Sequence, residues 1–345
     1  MPGSHIIDRV PGSFLTATPR IPFARYRFRF STSAEMRLPA WTGSMWRGAL
    51  GHALKRTVCV TRGRHCPDCL LYRSCAYPYV FETPPAPDSA KMRRYTAAPH
   101  PFVLDPQGDD PDGSRVLGVT LIGRGNQYLP YLVHALARAG KEGLGRDRAP
   151  YTLKEVLQNV GAISDEWRVI HASDGPLEGK PSVAPAIPPL MTDVRIQLIT
   201  PLRVQRAGDL VTPEHFRLAD LFGPLLRRLS MLAYFHTDTP FETDFAGLTA
   251  LARDVPLAGA DLHWQEWTRY SSRQKTTMQM GGIVGSVTLA ADDLAPFWPA
   301  LWLGQWLHVG KATSMGLGRY STEAVASLQD EHRDARNATI AEIAD

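Results

Sequence analysis

Alternation of apolar and polar residues predicts a half-buried strand close to the start of the chain. Over residues 23–32 the side chains alternate strictly, with Arg25, Arg27 and Arg29 on one face and apolar residues, together with Tyr26, on the other. A period of two is the pattern of a strand that packs one face against a core. The strand therefore carries three guanidinium groups on the face turned away from its core.

A helix is predicted next, because the apolar period changes from two to between three and four. Between residues 43 and 58, Trp46 and Leu50 fall on one stripe, and His52 and Lys55 fall on the polar side. The helix ends at the first cysteine of the chain. Its polar side is basic, which makes it a candidate surface for an anionic ligand.

The rest of the chain repeats this kind of order. In the first half the pattern predicts a strand-like segment at 77–81, strands at 115–122 and 167–171, and a helix at 128–139. A proline-rich linker covers 173–190. In the second half it predicts strands at 193–204, 262–271, 282–290 and 319–325, with helices at 212–235 and 293–308.

The repeated order of strands and helices predicts an α+β fold of two tandem ferredoxin-like units. We place an N-terminal domain at 15–190, a C-terminal domain at 191–327 and a charged tail at 328–345. No run of about 18 apolar residues occurs, so no membrane span is expected. The chain shows no secretory leader, and we expect a cytoplasmic protein.

Positive charge is concentrated in the first hundred residues. They hold 15 Lys and Arg against 5 Asp and Glu, so the overall charge of +4 leaves the remainder of the chain at about −6. A basic segment beside an acidic remainder is typical of a protein that binds a polyanion. An arginine-rich solvated surface gives the same composition, so charge alone leaves both interpretations open.

The four cysteines of the chain lie within seventeen residues, as Cys59, Cys66, Cys69 and Cys75. Four thiolates with a Cys-x2-Cys corner are typical of a closed tetrahedral zinc site. A four-cysteine iron–sulfur cluster is the alternative, and His65 is either a loop residue or a substitute ligand. Disulfides are disfavoured in a cytoplasmic protein. The sequence thus predicts a metal knuckle at 59–75, inserted in the first domain.

A glycine-rich loop follows the last predicted helix. Gly310, Gly316 and Gly318 permit left-handed backbone and close approach to a ligand, and Lys311 and Arg319 add positive charge. Exposed amides in such a turn form a concave anion site; a glycine-rich turn that binds no ligand is the alternative. The loop is not a nucleotide P-loop, because the spacing is wrong and it runs from a helix into a strand. A shorter glycine-rich segment at 143–146 occupies the corresponding place in the first unit.

Three stretches together resemble the Cas6 group of CRISPR-associated endoribonucleases in the RAMP superfamily. They are residues 46–56 (WRGALGHALKR), the cysteine loop running into residues 75–83, and residues 281–288 (GGIVGSVT) followed by the glycine-rich loop at 310–319. The resemblance implies two ferredoxin-like domains of the RRM type. It also implies binding of CRISPR repeat RNA, cleavage of precursor crRNA, and retention of the crRNA for the subunits of an effector complex.

Cleavage of this class needs no metal at the reacting phosphate. A general base deprotonates the 2′-OH, the oxygen attacks in line to give a 2′,3′-cyclic phosphate, and a general acid protonates the leaving oxygen. His52 is the first candidate for acid–base work, with Lys55 beside it, because histidine titrates near neutral pH. Tyr26 could assist, or could belong to the core. His308 is the second candidate histidine, and His236 is a weaker one.

The residues expected to contact RNA are basic residues of the first domain and residues of the glycine-rich loop. They are Arg25, Arg27, Arg29, Arg47, Arg56, Gly310, Lys311, Gly316, Gly318 and Arg319. An alternative function is a non-catalytic RAMP subunit that binds and positions crRNA. A zinc-dependent nuclease or deaminase is disfavoured, because four cysteine ligands leave zinc no open coordination position.

Overall fold

The computed structural model describes residues 18–32, 38–39, 41–63, 65–85, 89, 91, 98–110, 112–173, 175–271 and 276–325. Within them the chain forms two antiparallel sheets of four and five strands, and helices cover one face of each sheet. The predicted tail at 328–345 lies outside the described residues.

The first sheet has ferredoxin-like connectivity. Its strands are β1 (Phe23–Thr32), β2 (Phe102–Asp109), β3 (Arg115–Ile122), β4 (Tyr151–Asn159) and β5 (Trp167–Ala172). The strand order is β2-β3-β1-β4-β5, and all neighbours are antiparallel. Helix α1 (Gly43–Val58) joins β1 to β2, and α2 (Leu129–Glu142) joins β3 to β4. With β5 set aside, this is the βαββαβ unit predicted from sequence.

The alternating face of β1 explains the first core. Tyr26, Phe28 and Phe30 are almost fully buried, and they pack with Leu50 of α1 and Leu132 of α2. The arginines lie on the opposite face of the same strand. The amphipathic pattern of the sequence thus decides which face of the sheet the two helices cover.

The second sheet repeats this connectivity. The remaining strands are β6 (Val194–Leu202), β7 (Gln205–Arg206), β8 (Asp209–Leu210), β9 (Gly259–Gln265), β10 (Thr268–Ser271), β11 (Thr276–Gln279), β12 (Gly282–Leu289) and β13 (Tyr320–Ala324). The helices are α3 (Leu218–His236), α4 (Phe245–Leu251), α5 (Ala291–Leu294) and α6 (Trp298–Leu307). The sheet order is β13-β6-β12-β9, while β7–β8 and β10–β11 form separate pairs. The second unit is therefore also ferredoxin-like.

Several local predictions are wrong. The strand predicted at 262–271 is two strands, β9 and β10, and the helix predicted at 293–308 is two helices, α5 and α6. Residues 77–81 do not form a strand. Pro78–Glu82 is a helical turn, and Tyr77, immediately before it, stacks on Phe81 with 5.6 Å between ring centroids. Aromatic residues four apart meet on a helical turn, and Phe81 packs beneath Gly51 of α1. Pro213 opens a short 3-10 turn, and the long helix begins later, at Leu218.

The two domains share apolar packing. Phe23 of β1 stacks on Trp306 of α6 with 6.0 Å between ring centroids, and Ile21, Val103 and Ile122 belong to the core of the second domain. One end of the first sheet thus packs against the second domain. Among the described residues, no helix is long and apolar enough to cross a bilayer.

Candidate nucleic-acid interface

The glycine loop (residues 308–319) runs from α6 into β13, as expected. Gly310, Gly316 and Gly318 all have positive φ, between 69° and 93°. A Cβ on Gly318 would lie 1.7 Å from the carbonyl oxygen of Val309, so no larger residue fits there. These glycines are required by the fold of the loop itself, because the chain reverses against its own backbone.

The amides of Gly316 and Gly318 are not available for the predicted anion site. The backbone N–H groups of Met315, Gly316, Leu317 and Gly318 donate to carbonyl oxygens within the protein, and that of Arg319 donates to the hydroxyl of Thr200. A paired amide is not available to a phosphate. The prediction of RNA binding through the amides of Gly316 and Gly318 is therefore corrected, while RNA binding by Gly310 and by the charged side chains of the loop stays a prediction.

The glycine loop instead docks the second domain against helix α1. The carbonyl of Met315 lies against Gly43, where a Cβ would meet its oxygen at 1.8 Å. The side chain of Arg47 on α1 donates to Ser314 Oγ of the loop at 3.1 Å. Within the second domain, Thr200 Oγ1 donates to the carbonyl of Gly316 at 2.8 Å and holds the loop against β6. Arg47 is thus used as a contact between domains, which corrects its predicted role as an RNA-facing side chain.

A cleft of about 360 Å³ opens beside this contact, between the two domains. The N-terminal end of α1 reaches it through Trp41 and Thr42, and the second domain contributes Thr200 and Arg319. The N-terminus of a helix carries partial positive charge and favours anions. Sequence reasoning did not find this cleft, because its walls come from segments that are distant in the chain.

The cleft also carries aromatic surface. Trp41 and Trp267 both line it and stack on each other, with 5.2 Å between ring centroids. Arg115 lines it as well, and Arg319 is held by an ion pair with Asp105 at 2.8 Å. Aromatic rings beside cations are the usual lining of grooves that hold single-stranded nucleic acid.

The three arginines of β1 have different surroundings. Arg27 lies 4.1 Å from the centroid of the Trp167 ring, and Arg25 lies 5.3 Å from it. Burial lowers the pKa of Arg25 to about 10, which leaves it charged at neutral pH. Arg29 instead contacts three carboxylates, those of Asp110, Asp112 and Glu155, at 2.5–2.9 Å.

These ion pairs correct part of the predicted RNA-binding set. Three carboxylates offset the charge of Arg29, so this side chain contributes little net positive charge to the binding of a phosphate. Arg56, on the exposed side of α1, pairs with Glu142 of α2. Lys311 is exposed, and its ammonium donates to a neutral amide oxygen, that of Gln205, at 2.7 Å. Of the predicted cations, Lys311 is therefore better placed than Arg29 to meet RNA.

Two of the predicted catalytic residues are in the protein interior. Tyr26 is 1% exposed, and its hydroxyl donates to the side-chain oxygen of Asn126. His308 is 3% exposed, and its Nδ1 lies 3.2 Å from the carbonyl oxygen of Leu317. Burial lowers the pKa of His308 to about 4, so the ring is neutral. Neither side chain can reach an RNA phosphate, so we correct both predictions; the weaker candidate His236 is also fully buried.

His52 and Lys55 lie three residues apart on α1, and the contacts of Lys55 are with the cysteines. His52 is exposed on α1, about 14 Å along the helix from Gly43 at a rise of about 1.5 Å per residue. Lys55 turns toward the cysteines: it lines the cavity that they surround, bonds the thiol of Cys66, and lies 5.4 Å from the Tyr77 ring centroid. Lys55 thus contacts the cysteines from the end of α1, and its predicted role beside His52 stays a prediction.

A further histidine, His100, lies where α1, the start of β2 and the glycine loop meet. Its Nε2 accepts from Arg47 at 3.0 Å, so its Nδ1 carries the proton and donates to Thr83 Oγ1 at 3.0 Å. Burial, with the charge of Arg47, lowers the pKa of His100 to about 3. The neutral ring orients Arg47 toward Ser314. No sequence pattern could have found this chain of contacts, because its members come from distant segments.

Comparisons with known proteins agree with this architecture. Residues 21–181 match a family model described as an N-terminal domain, and residues 196–320 match the model of the CRISPR-associated endoribonuclease Cas6. The second match includes the glycine loop and confirms the resemblance drawn from the sequence. No curated protein matches the chain.

Two solved structures share the fold. A Cas6 product complex has a TM-score of 0.54 at 17% identity, over 88% of this chain and 99% of that chain. Thermus thermophilus Cas6 has a TM-score of 0.50 at 15% identity, also over 88% and 99% of the two chains. Identities this low show a common fold, and they do not carry a site residue by residue.

Proposed function

We propose that this chain is a CRISPR RNA-processing endoribonuclease of the Cas6 type, which binds repeat RNA between its two ferredoxin-like domains and cuts precursor crRNA. The observation that carries the proposal is the Cas6 family match over residues 196–320, on a domain that contributes one wall of the interdomain cleft. The tandem ferredoxin-like architecture supports it. One of the structures that share this fold is a Cas6 product complex.

RNA binding in the cleft follows from its lining. Trp41 and Trp267 offer π surface to unpaired bases, at about 1–3 kcal/mol for each stacked base. The start of α1 favours phosphate, and Arg319, paired with Asp105, helps to form the wall of the cleft. Lys311 extends the positive surface on the second domain. The groove therefore suits the backbone and bases of a single strand that enters or leaves a hairpin.

The chemical step proposed is attack by a 2′-oxygen on the adjacent phosphorus. The new P–O2′ bond forms as the P–O5′ bond breaks, which leaves a 2′,3′-cyclic phosphate and a 5′-OH. A base takes the proton of the 2′-OH, and an acid gives one to the departing 5′-oxygen. We assign acid–base work to His52, the one exposed side chain among the three histidines considered for this role. No metal at the phosphate is part of this scheme.

The test uses purified protein and its repeat RNA, with and without chelator. We expect one cut at a fixed position in both conditions, and a 3′ end that resists phosphatase until acid opens the cyclic phosphate. An RNA with 2′-deoxyribose at the cut position should bind and remain whole. Cutting of that deoxy RNA, or cutting that stops in chelator and returns with added Mg²⁺, would refute the mechanism.

A non-catalytic RAMP subunit is the second candidate function. Two observations favour it. Tyr26 and His308 are buried, and the side chain of Lys55 points toward the cysteines, so none of the other predicted catalytic residues is placed to act with His52. Tight binding of repeat RNA without cleavage would support it. In either case we propose that the bound crRNA is passed to subunits of an effector complex, as the resemblance implies.

A further inference from the structure

The segment between α1 and the helical turn at Pro78–Glu82 is called here the cysteine loop (residues 59–75). Its four cysteines are free thiols and line one cavity of about 30 Å³. Cys59 immediately follows α1, and the Cys66–Cys69 segment closes a tight corner in which Cys69 N–H donates to the carbonyl of Cys66 at 2.9 Å. The amide of Cys75 donates to the carbonyl of Leu71 at 2.9 Å. The backbone of each cysteine is thus positioned by a hydrogen-bonded turn or by the end of a helix.

The cysteine loop has no hydrophobic core of its own. Among its described residues none is buried, and the four cysteines are only half-buried. Leu70 is fully exposed, and Val60 is 76% exposed. An excursion of this length without buried apolar surface needs another source of stability, and small folds commonly use a metal for this purpose.

Polar groups around the cavity are arranged about the sulfur atoms. The hydroxyl of Thr61 lies 3.9 Å from Cys59 Sγ and 3.6 Å from Cys69 Sγ. The ammonium of Lys55 bonds the thiol of Cys66. His65, considered above as a substitute ligand, pairs with Asp68 at 2.9 Å on the exposed side of the loop.

We propose that the cysteine loop binds one zinc ion through the thiolates of Cys59, Cys66, Cys69 and Cys75. All four cysteines line one cavity, and four thiolates with a Cys-x2-Cys corner are the usual ligands of a single, closed zinc site. Within the described residues no three His, Cys, Asp or Glu side chains are already placed to hold a metal, so the thiols move inward across the cavity on binding.

Binding exchanges four thiol protons for Zn²⁺ and leaves a site of net charge −2. Lys55 offsets part of that charge, which explains why a helical lysine turns into the loop. With four sulfur ligands the zinc has no open coordination position, so its role is to hold the cysteine loop together. This inference does not depend on the proposed RNA chemistry.

The test measures zinc, iron and sulfide in full-length protein purified under reducing conditions without chelator. We expect about one zinc per chain, released when a mercurial reagent titrates the thiols. The Cys66→Ser/Cys69→Ser variant should lose the zinc, and the control Ser74→Ala, in the same loop, should keep it. Because the serine variant could fail to fold, the wild-type protein is also loaded with Co²⁺, which should give the visible d–d bands of a tetrahedral thiolate site.

Two results would overturn the inference. One is wild-type protein that holds no zinc, takes up neither Zn²⁺ nor Co²⁺ after reduction, and has thiols that Zn²⁺ does not protect from alkylation. The other is iron with equimolar sulfide and a brown chromophore, which would replace the single ion by a cluster. Loss of zinc with normal cleavage of RNA would leave the inference intact and separate it from the proposed function.

Discussion

Replacement of Gly43 by alanine tests the docking of the two domains. Gly43 is the first residue of α1, and a Cβ there would lie 1.8 Å from the carbonyl oxygen of Met315 and 2.8 Å from its carbonyl carbon. Both groups are backbone, so no side-chain rotation relieves the contact. Gly48, in the same helix, is the matched control, because a Cβ there meets nothing within 4 Å.

The expected loss can be worked from these distances. Real Cβ atoms essentially never come within 3.0 Å of such a neighbour, so the glycine loop must retreat from α1 by about 1.2 Å. Overpacking typically costs about 1–3 kcal/mol. The retreat also lengthens the bond from Arg47 to Ser314, worth about 1 kcal/mol. We expect Gly43→Ala to lower the free energy of unfolding by about 3 kcal/mol. Gly48→Ala should raise it by about 1 kcal/mol, because alanine is the better helix former.

Urea denaturation of the two variants and the wild type measures both effects, and binding of repeat RNA is followed in parallel. Because the cleft lies beside this contact, Gly43→Ala should also weaken RNA binding, and Gly48→Ala should not. Equal stability of the two variants, or RNA binding that is unchanged in Gly43→Ala, would refute the proposed docking of the glycine loop on α1.

Two further predictions concern pH and charge. Lowering the pH from about 7.5 to about 5 should destabilise the fold, because burial lowers the pKa of His236 and His308 to about 4 and the unfolded chain binds protons that the folded chain refuses. Their contribution to the free energy of unfolding is complete above about pH 6.5 and is lost as the pH falls toward 4. At pH 5 the loss is about 2 kcal/mol for each histidine. Identical urea midpoints at the two pH values would contradict this. Lys311→Gln should weaken repeat-RNA binding and reduce the slope of log affinity against log salt by about 1. Arg29→Gln should leave that slope unchanged, because three carboxylates already offset its charge; an equal effect of the two variants would refute the assignment.

Strongly periodic segments could be predicted from the sequence, and segments with bulges could not. The predicted bounds of β1 and α1 agree with the structure because each has one uninterrupted period. Strand β4 was not predicted, since its register shifts opposite Arg29 and Phe30 and breaks the alternation of its side chains. Strand β2 lies at the sheet edge, with a register shift between Pro106 and Gly108. Proline and glycine in an edge strand remove the usual pattern.

The candidate site was predictable only where it depended on local spacing. The glycine loop was found from its composition, but the role of its last glycines was not, because the amides of Gly318 and Arg319 donate to Pro201 and Thr200 in a distant segment. Tyr26 is buried because it lies on the apolar face of β1. The alternation of the strand had left this position in the core open as the alternative to a catalytic role. The cleft and the Arg47–His100 contact depend on how the two domains meet, which no local pattern encodes.

The most direct test of the central claim is the single-turnover rate of repeat-RNA cleavage by His52→Ala, with His215→Ala as the control on an exposed histidine of the second domain. A lost acid–base group should reduce the rate by about 10²–10⁴. We predict a loss of this size for His52→Ala with RNA affinity unchanged, and a wild-type rate for His215→Ala. Cleavage by His52→Ala at the wild-type rate would contradict the account.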